Sequence, residues 1–256
     1  GRLLSNISEQ FGMSLICFDG GNLRNAIPRE AMASIAIDRS SKGQVIKFID
    51  SFQSTLKKEF GDLEKELKLS YSEEDIASDV IDEDDQKRFL RAIKECPHGV
   101  IAWSREMDDL VETSTNLASA KFYKDNTIKI ITTQRSSVES SKHNIGVTIE
   151  SCLKNAGAEV THSEGYPGWE PNMKSEILSI TRNSYYKLFR KEPQVRAIHA
   201  GLECGLFFER INSIDMISFG PTIKGAHTPE EMVEIKTAQM FWDLLIDVIK
   251  NIPKEK

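Results

Sequence analysis

Ser14-Leu15-Ile16-Cys17-Phe18-Asp19-Gly20-Gly21-Asn22 is the stretch that decides the fold. Its first five residues read as a strand, and Asp19 to Asn22 is turn chemistry. Arg24-Asn25-Ala26-Ile27-Pro28-Arg29-Glu30 links it to a second strand, Ala31 to Ile37. There Ala31, Ala33, Ile35 and Ile37 alternate with Met32, Ser34 and Ala36. Working outward, residues 2–11 read as an amphipathic helix with Leu3, Leu4, Ile7 and Phe11 on one face. A second helix is expected from about Lys42 to Leu67, with Val45, Ile46, Ile49, Phe52, Leu56, Phe60 and Leu63 as its stripe. Helix, strand, strand, helix, strand is the order of a split βαβ sandwich whose first strand is not in this chain.

Further along, residues 72–85 are strongly acidic and read as a solvated linker running into the acidic start of a helix. Phe89, Leu90 and Ile93 mark that helix, which stops at Pro97. Strands are expected over Leu110–Tyr123 and Thr127–Gln134, joined by a Lys124-Asp125-Asn126 turn. A helix follows from about Val138 to Asn155 and stops at Gly157. Ala158 to Ser163 is a further strand candidate. The first 170 residues thus read as two α/β lobes of similar grammar.

Gly165-Tyr166-Pro167-Gly168-Trp169-Glu170-Pro171-Asn172 reads as a boundary. Beyond it a helix is expected over Met173–Arg190, and Val195 to His199 reads as a short strand breaking at Gly201. Another helix starts near Glu203. Met216-Ile217-Ser218-Phe219 reads as a strand ending at Gly220-Pro221. The last helix carries Met240, Phe241, Leu244, Leu245, Val248 and Ile249 at helical spacing. Alternating helices and strands imply a largely parallel sheet, but two strands cannot cover helices on both faces, so this region reads as half a domain.

Composition narrows the function. The chain has 256 residues, 39% hydrophobic and 28% charged, with a net charge of -6. That acidic balance argues against a general nucleic-acid binder. No run approaches the roughly 18–20 apolar residues of a membrane span, and no signal peptide opens the chain. Its first residues are already helical, as if it began in mid-domain. The four cysteines are scattered without a C-x-x-C pair, the pattern of reduced thiols in a cytoplasmic protein.

Chemistry-bearing residues are few. A catalytic zinc takes about three protein ligands and an open position. The five histidines, His98, His143, His162, His199 and His227, show no shared ligand spacing. His227 sits between a strand end and Thr228-Pro229-Glu230-Glu231, which reads as a capped helical turn. His199 and Glu203 lie at a strand-to-helix turn and fit either a substrate contact or a buried polar pair with a helix N-terminal carboxylate. Asn25 and Arg135 stand at loop and strand ends. Such residues can bind an oxyanion or a carboxylate, or serve as a turn asparagine and an exposed arginine. No G-x-S-x-G elbow, Cys/His dyad or phosphate-binding glycine loop is present.

Several phrases together resemble the aminoacyl-histidine dipeptidases, the Xaa-His or PepD-type zinc dipeptidases related to carnosinase. They are Gly21 to Glu30, Leu110-Val111-Glu112-Thr113-Ser114-Thr115-Asn116-Leu117, Gln134-Arg135-Ser136-Ser137, Gly165 to Trp169, His199-Ala200-Gly201-Leu202-Glu203-Cys204-Gly205, and the stretch Gly220 to Glu231 through His227. They occur in the family's order and span nearly the whole chain.

The resemblance implies an α/β fold in two parts. Residues 1–170 would be a lid domain of two α/β sandwich lobes, antiparallel sheet plus helices, lacking its first strand and serving dimerisation and substrate capping. Residues 171–256 would be the C-terminal half of a largely parallel, di-zinc catalytic domain. It also implies two zinc ions per active site, with His227 the single ligand present here. Asn25, Arg135, Gly201 and Glu203 would meet the substrate or its oxyanion, and His199 would line the cleft. The general base and the other ligands, an H-x-D motif among them, would lie upstream. The partners implied are a small dipeptide and a second copy of the chain, with no nucleic acid and no membrane. The fragment alone would be inactive. The competing reading is a non-catalytic lid-type module for dimerisation or ligand binding.

Overall fold

The computed structural model describes residues 1–74, 79–105, 107, 109–163, 165, 167–169, 172–196, 203–211, 214–226 and 230–253, without the side chains of Glu203 and Glu209. It is an α/β protein built from helices and an antiparallel sheet. The chain forms two compact units. One holds Gly1–Ile101, Ser114–Gln134 and His143–His162; the other holds Ala102–Thr113, Arg135–Lys142 and Ser163–Lys256.

In the first unit, α1 (Arg2–Phe11) buries Leu4 and Ile7 and stops at Gly12, whose φ of 69° suits only glycine readily. β1 (Ser14–Gly20) then pairs antiparallel with β2 (Ala31–Ala36), from Ser14↔Ala36 to Gly20↔Ala31. The register shifts between Leu15 and Cys17. That bulge inserts Ile16 and lets Leu15 and Phe18, three apart, both face the core, where strict alternation would have split them.

After a 3-10 turn at Arg39–Ser41, α2 (Lys42–Phe60) packs on α1. Phe11 meets Phe48 edge to face at 5.6 Å, and the Arg2 guanidinium lies 5.1 Å over the Phe52 ring. The helix ends at Phe60, short of the expected Leu67. Gly61 follows, and Leu63 is 83% exposed, so no apolar partner carries the stripe further.

α3 (Glu83–Glu95) begins as its sequence dictates. The Asp82 carboxylate accepts from the Asp84 and Asp85 amides at 2.9 and 3.3 Å, and the acidic first turn suits the helix N-terminus. Phe89 sits 5.3 Å from Phe18 and 4.9 Å from Phe122, and these rings with Leu4, Leu15, Leu90 and Ala120 form the main core.

Three more strands, β3 (Gly99–Trp103), β4 (Val111–Phe122) and β5 (Ile128–Ser136), complete a five-stranded sheet of order β2-β1-β4-β3, with β5 also on β4. β1 meets β4 antiparallel at Asp19↔Lys121 and Gly20↔Ala120. α4 (Glu139–Asn155) follows β5, and a second small core gathers Ala92, Cys96, Ile149 and Leu153. The boundary between the units falls inside β3, β4, β5 and α4. β3 escapes a periodicity reading because it is five residues long and follows a Pro97-His98-Gly99 break. Ala158–Ser163 forms no strand; Val160 packs on the small core instead.

In the second unit, α5 (Glu176–Phe189) is capped by Ser175, whose hydroxyl accepts from the Leu178 amide at 3.0 Å, and ends at left-handed Arg190. α6 (Glu203–Arg210) is short. β6 (Ile223–Lys224) and β7 (Met232–Val233) make a two-stranded antiparallel ribbon that leads into α7 (Ile235–Asn251). α7 packs against α5 through Leu244 and Val248.

Met216–Phe219, expected as a strand of a parallel sheet, pairs with no strand among the described residues. Among those residues, the second unit's own strands after Ser163 are β6 and β7 alone, already paired with each other. The segment is held by side chains: the Asp215 carboxylate accepts from the Ile177 amide at 3.0 Å, and Phe219 lies 5.6 Å from Phe241. The expected strand Val195–His199 shows no pairing at 195 and 196, and its remainder lies outside the described residues. No helix among the described residues is long and apolar enough to cross a membrane.

Candidate functional site

The loop between β1 and β2 holds Asn25. Its base closes through the Gly21 amide, which donates to the Glu30 carbonyl at 3.1 Å. Gly21 has φ 69°, and a Cβ there would stand 2.0 Å from the Ala118 carbonyl oxygen on β4, so only glycine lets the loop lie this close to the sheet. Two side chains then reach up from the sheet. Thr133 Oγ1 donates to the Arg24 carbonyl at 2.6 Å, and Asn116 Nδ2 donates to the Ala26 carbonyl at 2.8 Å. The Asn25 side chain is exposed, and its amide has no partner among the described residues. A fixed backbone with a free amide is what a ligand-facing residue needs.

Arg135 belongs to the second unit, at the end of β5. It is half-buried and has no carboxylate partner among the described residues. The turn behind it is tightly made. The Ser136 hydroxyl accepts from the Val138 amide at 3.0 Å and bonds the Thr113 hydroxyl at 2.8 Å, both residues being buried. The Ser137 amide donates to the Glu112 carbonyl at 3.1 Å.

On that turn sits Gly168. A Cβ there would lie 2.6 Å from the Ser137 carbonyl oxygen, and the Gly168 amide donates to Glu139 Oε2 at 3.0 Å. Gly205 on α6 in turn packs where a Cβ would stand 2.6 Å from the Pro167 carbonyl. Ser137, Pro167 with Gly168, and Gly205, which come from phrases far apart in the sequence, are therefore stacked backbone to backbone. The spacing of these glycines had no local explanation; close backbone approach supplies it.

Glu203 opens α6, and its side chain lies outside the described residues, as do His199, Gly201 and His227. The capped turn expected at Thr228-Pro229 lies outside them too. Among the described residues, no group of three or more His, Cys, Asp and Glu is placed to hold a metal ion. Two of the described histidines have other work: His98 Nδ1 accepts from the Leu117 amide at 3.0 Å, and His162 Nε2 meets Glu150 Oε2 at 3.0 Å. Hydrogen bonds from Lys154 and then His162 hold the Glu150 carboxyl below its usual range.

Sequence reasoning missed Asn116 and Thr133. Asn116 lay inside a quoted phrase, yet nothing in its spacing says which carbonyl it serves. A polar residue on a strand flanked by core residues was the available signal.

No family model matches the chain. A cytosol non-specific dipeptidase of Escherichia coli (strain K12) is 37% identical over 254 residues, which is 98% of this chain and 52% of that protein. The crystal structure of aminoacylhistidine dipeptidase from Vibrio alginolyticus superposes with a TM-score of 0.86 at 36% identity, covering 100% of this chain and 52% of that one. The chain thus spans about half the length of the relatives it matches. The resemblance carried by the quoted phrases is borne out along nearly the whole of it.

Proposed function

We propose that this chain is the C-terminal half or so of a metal-dependent, cytoplasmic dipeptidase that hydrolyses dipeptides of Xaa-His type. The observation that carries the reading is sequence identity of 37% along 98% of the chain to a dipeptidase it half covers. Residues 1–170 would act as the lid and as the dimerisation surface, and residues 171–256 as the C-terminal half of the catalytic domain.

In that enzyme Asn25 donates an amide N–H to the carbonyl oxygen of the scissile peptide as that oxygen gains charge. Arg135 offers its guanidinium fork to a carboxylate or an oxyanion, the geometry for which arginine is suited. Glu203 and the backbone at Gly201 line the substrate cleft with His199, and His227 supplies a single zinc ligand. A zinc pair would supply an activated water when bound. The described donors of this chain do not by themselves fit such a centre.

The test uses two proteins. The pure 256-residue chain, loaded with zinc, is expected to leave Xaa-His dipeptides intact. The full-length polypeptide is expected to cleave them and to lose about 100-fold in kcat/KM on Arg135→Ala. Cleavage by the isolated chain would overturn the division of labour. Absence of cleavage by the full-length protein would favour a non-catalytic lid-type module.

A further inference from the structure

We propose that Asn116 and Thr133 are positioning residues that lock the backbone at Asn25 into the conformation in which its amide meets the substrate. The proposal rests on the dipeptidase reading above and adds residues that it did not use. The juxtaposition that carries it is simple: side chains from two different strands grip the carbonyls on either side of one exposed asparagine.

The peptide planes around Asn25 are each fixed. Thr133 Oγ1 donates to the Arg24 carbonyl at 2.6 Å, which sets the plane entering Asn25. The Ala26 amide donates to the Leu23 carbonyl at 3.2 Å, which sets the plane leaving it. Asn116 Nδ2 donates to the Ala26 carbonyl at 2.8 Å, which holds the next plane. Gly21 anchors the loop base against Ala118. Neither φ nor ψ of Asn25 can turn without breaking one of these bonds. Around this fixed point the loop is open, with Leu23 53% and Ile27 73% exposed. Apolar packing therefore does not set the loop's conformation; the polar grips from the sheet do.

Asn116 also bears a cost that stability alone does not explain. Its amide must turn its NH2 toward the Ala26 carbonyl, because two oxygens cannot share a hydrogen. That leaves Oδ1 buried with no partner among the described residues. A buried acceptor left unmade is unfavourable, and such exceptions are retained where the arrangement serves something other than stability.

The experiment compares variants of the full-length polypeptide in kcat, KM and amide hydrogen exchange over residues 22–28. Asn116→Asp keeps the shape but sets a carboxylate against the Ala26 carbonyl; Thr133→Val removes the donor and keeps the volume. Both are expected to lower kcat about 10- to 100-fold, as a displaced catalytic contact does, with little change in KM and faster exchange in the loop. Thr133→Ser, which keeps the hydroxyl, should restore most of the loss, and melting temperatures should stay near that of the parent. Asn25→Ala is the reference. If it lowers kcat while Asn116→Asp and Thr133→Val change neither kcat nor exchange, the grip is refuted and the dipeptidase reading stands. If the grip variants speed exchange but neither they nor Asn25→Ala touch hydrolysis, the role of Asn25 falls and the proposal with it.

Discussion

The Lys187 ammonium on α5 donates to the Asp247 carboxylate on α7 at 2.8 Å, and this pair ties the two helices at the end remote from the Ser175 cap. Asp247 also accepts from Asn251 Nδ2 at 3.0 Å. The hydrogen bond from Lys187, with that from Ser184 behind it, holds the Asp247 carboxyl below its usual range. A depressed folded pKa means the contribution is present above the unfolded value, near 4, and is lost as pH falls through the folded one. Urea midpoints should therefore drop below about pH 4, and Asp247→Asn should flatten that part of the curve. Lys187→Met should cost less than about 1 kcal/mol at neutral pH, because the lysine end is exposed. An acid limb unchanged by Asp247→Asn would refute the assignment.

Gly21→Ala should be among the most damaging single-methyl changes in the chain. The new Cβ would meet the Ala118 carbonyl oxygen at 2.0 Å while the residue sits at φ 69°. A left-handed residue alone costs about 1–3 kcal/mol, and the clash must be relieved by lifting the loop off β4. Thermal melting should fall, and exchange over residues 22–28 should rise. Gly43, where a Cβ meets nothing within 4 Å, is the control.

Gln86 is the polar hinge of the first unit. It is 4% exposed; its Oε1 accepts from the Leu15 amide at 2.6 Å and its Nε2 donates to the Met13 carbonyl at 3.0 Å. Gln86→Leu would keep the volume and strand both backbone groups, at about 2–4 kcal/mol. Chemical denaturation would measure this; a change under about 0.5 kcal/mol would mean that water takes over both groups.

The thiols differ in reach. Burial, helped by the neighbouring Cys152, pushes the Cys96 thiol up to about 11, whereas Cys17 is exposed. An aromatic disulfide reagent at pH 8 should titrate Cys17 promptly and Cys96 only on unfolding, since the thiolate is the reacting form. Prompt reaction of Cys96, read by peptide mass, would contradict its place in the core.

Much of the fold was legible where a period ran long enough. α1, α3, α4 and α7 announced themselves through apolar spacing, and α3 through its acidic start. The bulge at Ile16 was not legible, because a single inserted residue leaves composition unchanged and shows only in the partner strand's register. Met216–Phe219 has the composition of a strand, but a strand needs an edge to pair with, and composition does not say whether one is present. Of the site, Asn25 and Arg135 could be picked out as polar residues at element ends. Asn116 and Thr133 could not, since their meaning lies in which carbonyls the sheet brings under them.

The pairing of Asp19 with Lys121 and Gly20 with Ala120 also has a temporal side. The β1–β2 ribbon leaves the ribosome long before β4, and at ordinary elongation rates the wait is on the order of ten seconds. During that interval β1 has no β4 to pair with, and the ribbon's inner edge is open to foreign strands. Synthesis of this polypeptide should therefore be sensitive to trigger-type chaperones at the tunnel exit, and slowing translation between Ser41 and Val111 should lower its soluble yield.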